Sequence, residues 1–287
     1  MRSVSEASSA RTLVRDAAAR LAQAGVPSPE HDATTLLADV LEVERPLVLA
    51  RRDVPADLVE RYVALVDRRA GREPLQHLLG RAWFRHVELA VGPGVFVPRP
   101  ETELLAGWAV DRAREAGAAP VVVDLCTGSG AIALSVEQEV PGSVVHAVEL
   151  DPGAHAWAER NLAGSTVDLR LGDMATAFPE LACGVDVVAC NPPYIPLEAF
   201  ESVAPEARDH DPSLALWSGE DGLDAMRVLE RTAARLLRPG AWVCAEHADV
   251  QGQSAMEVFL DAGRWSDVRD HRDLAGRARY LTARLAR

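Results

Sequence analysis

The tetrapeptide Asn191-Pro192-Pro193-Tyr194 follows directly on an apolar run, Val185-Asp186-Val187-Val188-Ala189-Cys190. The run reads as a buried strand. Neither proline has an N–H to donate to a ladder, so the strand must stop, and a stiff turn presents Asn191 at its carboxyl end. In an open α/β sheet ligands bind at that end. The asparagine offers a side-chain oxygen and the prolyl turn a backbone carbonyl. Two acceptors held side by side suit a planar NH2 group, because they can take both hydrogens and leave the nitrogen lone pair to attack. Taken alone, the four residues also admit an ordinary proline-rich loop.

A second constellation weighs against that plain reading. Val121-Val122-Val123-Asp124-Leu125 reads as a buried strand, Cys126-Thr127-Gly128-Ser129-Gly130 as a glycine turn and Ala131-Ile132-Ala133-Leu134-Ser135-Val136 as a helix. Strand, glycine turn and helix form the layout of a nucleotide-type cofactor site, in which glycines let the backbone approach the ligand. A third apolar run, 143–148, ends in Glu149, 21 residues after Gly128. An acid at that remove, on the tip of the next strand, is placed to accept hydrogen bonds from ribose hydroxyls. The turn has neither the G-x-G-x-x-G spacing of a dinucleotide fold nor a P-loop. The chain contains no lysine: all 30 basic residues are arginine, which excludes a phosphate-binding or Schiff-base lysine. An acid-x-x-x-Gly-x-Gly turn with a ribose acid fits S-adenosylmethionine better than NAD or ATP.

These residues need a scaffold, and the 287-residue chain has length for two domains or one large and one small. Hydrophobic content of 48% and charged content of 25% match an ordinary water-soluble protein. No apolar run approaches a membrane span. The opening residues, MRSVSEASSARTLVRD, lack an apolar signal core, which points to a cytoplasmic protein. The formal charge of −13 argues against nucleic acid as the main partner. Arg68-Arg69 with Arg72 is a local basic cluster, read here as a solvated helix end. Cys126, Cys183, Cys190 and Cys244 show no metal spacing and read as reduced packing thiols, and the eight histidines form no ligand motif, so no metal is expected.

From about 9 to 70 the apolar spacing predicts three helices, with Leu13, Ala17 and Leu21 in the first, Leu37 and Leu41 in the second and Leu58, Tyr62 and Leu65 in the third. Residues 73–100 read as a linker, with one strand within 83–91 and a turn at Gly92-Pro93-Gly94. A helix follows from about 101 to 116, with Glu101 and Glu103 suiting its dipole. Strands are expected at 121–125, 143–149, 167–171, 185–190, 241–246 and 280–285, with helices at about 130–139, 152–163, 222–237 and 249–262. That rhythm is a doubly wound α/β sheet.

Taken together, the chain resembles the glutamine N5-methyltransferases of peptide-chain release factors. The motifs that carry the resemblance are Glu73-Pro74-Leu75-Gln76-His77-Leu78-Leu79-Gly80, Val97-Pro98-Arg99-Pro100-Glu101-Thr102-Glu103, Val123 through Leu134, and Asn191-Pro192-Pro193-Tyr194-Ile195. The resemblance spans nearly the whole chain. It implies an N-terminal helical substrate-docking domain (1–72), a β-hairpin linker (73–100) and a seven-stranded S-adenosylmethionine-dependent methyltransferase domain (101–287). Cys126, Thr127, Gly128, Ser129 and Gly130 fall on the methionine-binding turn and Glu149 on the ribose acid. Asp173 and Met174 fall where adenine is bordered. Asn191, Pro192, Pro193 and Tyr194 fall on the substrate amide site, with Asn191, Pro192 and Tyr194 as catalytic residues and Asn191 also touching the cofactor. Phe96 and Arg99-Pro100 fall near the active site, without an assigned role. The implied partner is a class I release factor, whose Gly-Gly-Gln glutamine would be methylated by a monomeric enzyme without direct nucleic-acid or membrane contact.

Two residues depart from the family pattern. Cys126 stands in place of the first glycine of the turn, so its backbone is expected to avoid positive φ. Met174 stands where an aromatic is common, and its thioether can pack an adenine face. Three rival readings are a glutamine methyltransferase acting on a ribosomal protein, a nucleic-acid amino-methyltransferase with a pocket for a flipped base, and a cofactor-binding scaffold with a dead site. Glu246-His247 reads as a satisfied strand-end pair, Asp209-His210-Asp211 as a solvated loop, and 211–216 as a segment closing over the site.

Overall fold

The computed structural model describes residues 9–286, which form two compact units. Met1 to Ser8, half of the stretch read above as lacking a signal core, lie outside the described residues.

The first unit is helical. In α1 (Ala10–Gln23) the Ser9 side chain caps the first turn by accepting from the Thr12 N–H, and Val14, Ala17, Ala18 and Leu21 form the buried stripe. That stripe packs with Leu36 and Leu37 of α2 (Pro29–Val40) and with Tyr62 and Val66 of α3 (Ala56–Ala70). The Tyr62 hydroxyl donates to the Ala33 carbonyl at 3.0 Å, so the largest side chain of this core leaves no polar group unpaired. A short helix, α4 (Leu75–Leu79), ends the unit in the part of the chain expected to be linker.

The second unit opens with a hairpin. The stretch expected to hold one strand contains most of two, β1 (Arg81–Phe84) and β2 (Val87–Ala90), and they reverse at Arg85-His86 rather than at the Gly92-Pro93-Gly94 turn. Arg85 takes the αL region there, with φ of 51°. Then come α5 (Thr102–Ala116), β3 (Val121–Leu125), α6 (Ala131–Glu139), β4 (Val144–Glu149), α7 (Pro152–Asn161), β5 (Asp168–Leu171) and β6 (Val185–Cys190). After β6 lies α8 (Pro205–His210), which belongs to the helical unit, followed by α9 (Asp224–Leu236), β7 (Leu237–Glu246), α10 (Gly252–Asp261), β8 (Trp265–Arg272) and β9 (Ala278–Leu285).

The seven-stranded sheet runs β5-β4-β3-β6-β7-β9-β8. Strands β3 to β7 are parallel, and β9 is antiparallel to both β7 and β8. Buried side chains on both faces explain why β3 and β6 read as apolar runs broken only by Asp124 and Asp186. The strand order reverses between β3 and β6, the place where an α/β sheet opens a crevice for ligands.

The expected domains were 1–72, 73–100 and 101–287. The compact units divide at 80/81, with the hairpin in the sheet unit and α8 in the helical one. The solvated helix end needs correction. Arg69 is buried, donating to Asp32 at 2.8 Å and to Glu206 of α8 at 2.9 Å, and Arg72 grips both oxygens of the same Glu206. Burial opposes ionisation of Glu206, yet the hydrogen bonds from Arg72 and Arg69 hold its carboxyl down at about 2.

Candidate active site

Register alone assembles a row of chemistry across the sheet. Leu125 pairs with Val148 on one side and with Cys190 on the other, and Cys190 pairs with Ala245. One residue further along these parallel strands stand Glu149, Cys126, Asn191 and Glu246. All four sit at carboxyl ends, about 4.8 Å from strand to strand. The structure thus brings the glycine turn, the acid and the NPPY turn together.

The glycine turn is held from below by Asp124, which is fully buried. Its Oδ2 accepts from the Thr127 hydroxyl at 2.6 Å and from the Ala133 N–H at 3.1 Å, while Oδ1 has no protein partner. Burial pushes this carboxyl up to about 7, against the pull of those two hydrogen bonds. Gly128 has φ of 58°, and a Cβ there would meet nothing within 4 Å, so the turn faces open space. Ser129 is buried, and its carbonyl accepts from Asn161 Nδ2 at 2.9 Å; Gly130, with φ of 86°, leads into α6.

Cys126 contradicts its expectation. Its φ is 60°, in the αL region that a side chain rarely adopts. The cysteine has kept the glycine backbone instead of reshaping the turn. Its Sγ lies 3.7 Å from Met174 Sδ, so the two departures from the family pattern pack on one another. Asp173 is exposed and accepts from the Ala175 N–H at 2.8 Å.

Glu149 accepts from the Gly128 N–H at 2.8 Å with one oxygen and from the Asp151 N–H at 2.9 Å with the other. Burial raises its pKa, and these backbone donors counter the effect. A carboxylate has about four acceptor sites, so these backbone donors leave capacity for a ligand hydroxyl. Open space over Gly128 and an acid tied to the turn fit S-adenosylmethionine.

Around Asn191 the structure supplies partners that the sequence reading missed. Asn191 Nδ2 donates to Thr102 Oγ1 at 3.3 Å, and Thr102 Oγ1 donates to Glu246 Oε2 at 2.7 Å. The Tyr194 hydroxyl donates to the other oxygen, Glu246 Oε1, at 3.0 Å. Burial raises the Glu246 pKa, opposed by the bonds from Thr102 and Tyr194 and by the charge of Arg279. Burial likewise pushes the Tyr194 phenol up, with the Glu246 charge adding to it. The strand-end pair read at 246 and 247 is therefore two separate interactions, since His247 Nε2 faces Asp270 at 3.1 Å.

The rest of the NPPY turn is clamped through its backbone. Pro192 is buried and Pro193 half-buried. Gln251 Nε2 donates to the Tyr194 carbonyl at 2.9 Å, and Ile195 pairs with Leu216 and Ser218 at 2.8 Å and 3.0 Å. Gly222 is required here, because a Cβ at this residue would stand 2.4 Å from the Tyr194 oxygen. Arg99 lies over the Phe96 ring and donates to Asp211 at 2.6 Å. Asp211 is buried rather than solvated, and burial pushes its carboxyl up to about 6 despite the Arg99 charge. Among the described residues no group of three or more His, Cys, Asp or Glu could hold a metal ion, and no helix is long and apolar enough to cross a membrane.

Residues 12–80 match the model of the PrmC N-terminal domain, and residues 102–204 match that of the Methyltransferase small domain. The chain is 58% identical over 274 residues to the Release factor glutamine methyltransferase of Streptomyces coelicolor, covering 95% of this chain and 97% of that one. It is 44% identical over 210 residues to the 4-amino-L-phenylalanine/4-methylamino-L-phenylalanine methyltransferase of Streptomyces pristinaespiralis, covering 72% of each. Among solved structures, the hMettl16 catalytic domain in complex with MAT2A 3'UTR hairpin 6 is similar in fold, with a TM-score of 0.54 at 15% identity, covering 69% of this chain and 75% of that one.

Proposed function

Because the chain belongs to the release factor glutamine methyltransferase family, we propose that it transfers a methyl group from S-adenosylmethionine to the side-chain amide nitrogen of the Gly-Gly-Gln glutamine in class I release factors. The observation that carries this reading is the orientation of Asn191. With Nδ2 committed to Thr102, its Oδ1 is left as an acceptor for a primary amide.

A carboxamide nitrogen is a poor nucleophile, because its lone pair is delocalised into the carbonyl. Bound S-adenosylmethionine supplies an activated methyl, so the protein's own task is alignment and electrostatics. Asn191 Oδ1 and the Pro192 carbonyl accept the two amide hydrogens, favour a pyramidal nitrogen and aim its lone pair across the crevice. Pro193 keeps the turn rigid. Tyr194 walls the pocket, its hydroxyl tied down by Glu246. Residues 126–130 cradle the methionine portion, with Thr127 and Ser129 pinning the turn. Glu149 takes the ribose hydroxyls, and Asp173 and Met174 border the adenine.

The helical unit docks the protein substrate. Relatives matched across nearly their full length, together with the N-terminal model at 12–80, support a protein substrate over a free amino acid. In this reading the enzyme is a cytoplasmic monomer without direct nucleic-acid or membrane contact.

The test is parallel incubation of the protein and methyl-labelled S-adenosylmethionine with release factor, ribosomal protein, 4-amino-L-phenylalanine, RNA and DNA. Label on the Gly-Gly-Gln glutamine alone is expected, located by mass spectrometry. Label on another substrate and none on the release factor overturns the reading. Deleting 1–70 should abolish transfer to the whole release factor, and full activity of that truncation would remove the docking role.

A further inference from the structure

We infer that Thr102 and Glu246 are positioning residues that fix which end of the Asn191 amide faces the substrate. The inference rests on the amide-clasp reading above and adds what keeps that clasp in its working orientation.

An asparagine side chain has two nearly isosteric ends, an acceptor and a donor. Only the oxygen can accept a hydrogen from a substrate amide. With the nitrogen outward, Asn191 would present two hydrogens to the two hydrogens of the glutamine NH2 and repel it. Nothing in the NPPY turn itself chooses between these rotations, which differ by a half-turn about one bond.

The choice is made two hydrogen bonds away. Ionised Glu246 is acceptor-only. It is buried and receives the Tyr194 hydroxyl on Oε1 at 3.0 Å and the Thr102 hydroxyl on Oε2 at 2.7 Å. Thr102 has a single hydroxyl hydrogen, and Glu246 takes it. Thr102 Oγ1 can then only accept from Asn191, which lies 3.3 Å away. The amide nitrogen must turn inward and Oδ1 outward. The polarity of the chain thus runs from carboxylate to hydroxyl to amide, with each donor used once.

The local fold is built for this link. Thr102 is buried at the first residue of α5, with the acidic Glu101 before it and Glu103 after. Glu246 ends β7, abreast of Asn191 at the end of β6. Burial raises the Glu246 pKa, and the hydrogen bonds from Thr102 and Tyr194 together with the charge of Arg279 on β9 oppose it in favour of the ionised form.

The experiment is a double-mutant cycle on the full chain, with release factor as substrate and single-turnover methylation as the readout. Cofactor Kd is measured by calorimetry on the same samples. Thr102→Val keeps the shape and removes the hydroxyl. We expect kcat to fall about tenfold or more, with KM for the release factor and cofactor Kd within about twofold. Thr102→Ser should recover most of the loss. In an Asn191→Ala background Thr102→Val should change residual turnover by less than about twofold, because the residue it orients is gone.

Equal losses for Thr102→Val and Thr102→Ser, or a Thr102→Val loss that multiplies fully with Asn191→Ala, overturn the inference. Should Thr102→Val lose cofactor binding through misfolding, Thr102→Ala replaces it in the same cycle. A large loss in Asn191→Ala with none in Thr102→Val removes the orienting chain and leaves the amide clasp standing. Near-normal turnover in Asn191→Ala removes both.

Discussion

Leu125 and Cys190 are paired residues of neighbouring parallel strands, so Cys126 and Asn191 leave the sheet side by side. One begins the glycine turn and the other begins the diproline turn. The order of strands reverses between them, and a crevice opens where the two chains diverge. A cofactor seated on one turn and an amide held on the other are adjacent because of that register, without a long loop having to carry either.

Glu149 accepts from the Gly128 N–H at 2.8 Å, which ties the ribose acid to the turn. Glu149→Ala removes both the acceptor and the tie. Cofactor affinity should fall by about tenfold or more, corresponding to hydrogen bonds to a charged group worth about 1.5–3 kcal/mol. Calorimetric titration with S-adenosylmethionine checks this, and unchanged affinity would remove Glu149 from the cofactor site.

Cys126 holds φ of 60°, which a β-branched residue tolerates worst. Cys126→Val should cost about 2 kcal/mol in the turn and weaken cofactor binding, whereas Cys126→Gly should keep affinity within about threefold, the lost thiol contact with Met174 offsetting the relieved strain. Equal affinities for the Val and Gly variants would mean that the turn carries no strain at this residue.

Asp124 gives stability a pH dependence of defined sign. Burial raises its pKa from 3.8 to about 7. Between those values the folded state keeps a proton that the unfolded state releases, so this contribution is complete below about 3.8 and is lost as pH rises through 7. Asp124→Asn should therefore flatten the stability profile across that window, by at most about 1.4 kcal/mol per pH unit. Urea unfolding at several pH values between 4.5 and 7.5 reads the slope. A slope equal to that of the parent chain contradicts the assignment.

Glu206 works in the opposite direction. Held down at about 2 by Arg72 and Arg69 against its burial, it contributes stability above 4.5 that is lost as pH falls toward 2. Glu206→Ala leaves Arg69 buried with only Asp32 as an acidic partner, and should destabilise the helical unit by about 3 kcal/mol at neutral pH. Hydrogen exchange should show amides in 205–210 losing protection. Unchanged protection there would mean that packing alone retains α8.

The central strands could be read from the chain because both of their faces are buried, so Val121 to Leu125 and Val185 to Cys190 are each apolar but for one aspartate. Edge strand β8 could not. Its residues WSDVRDHR are mostly polar and half-exposed, as suits a strand that must not pair with another chain. The hairpin reversal at Arg85-His86 contains no glycine or asparagine, so no turn signal marked it. Cys126 misled because the side chain argues for ordinary φ, whereas the turn imposes its own. Glu246 was set aside as the partner of its neighbour His247. Successive residues of a strand point to opposite faces, and its real partners are 144 and 52 residues away in sequence.

The most direct test removes the clasp itself. In Asn191→Ala, single-turnover methylation of the release factor glutamine should fall by about 10² or more, while S-adenosylmethionine affinity stays within about twofold. Turnover near that of the parent chain, or a loss explained entirely by weaker cofactor binding, would contradict the assignment of Asn191 as the group that holds the substrate amide.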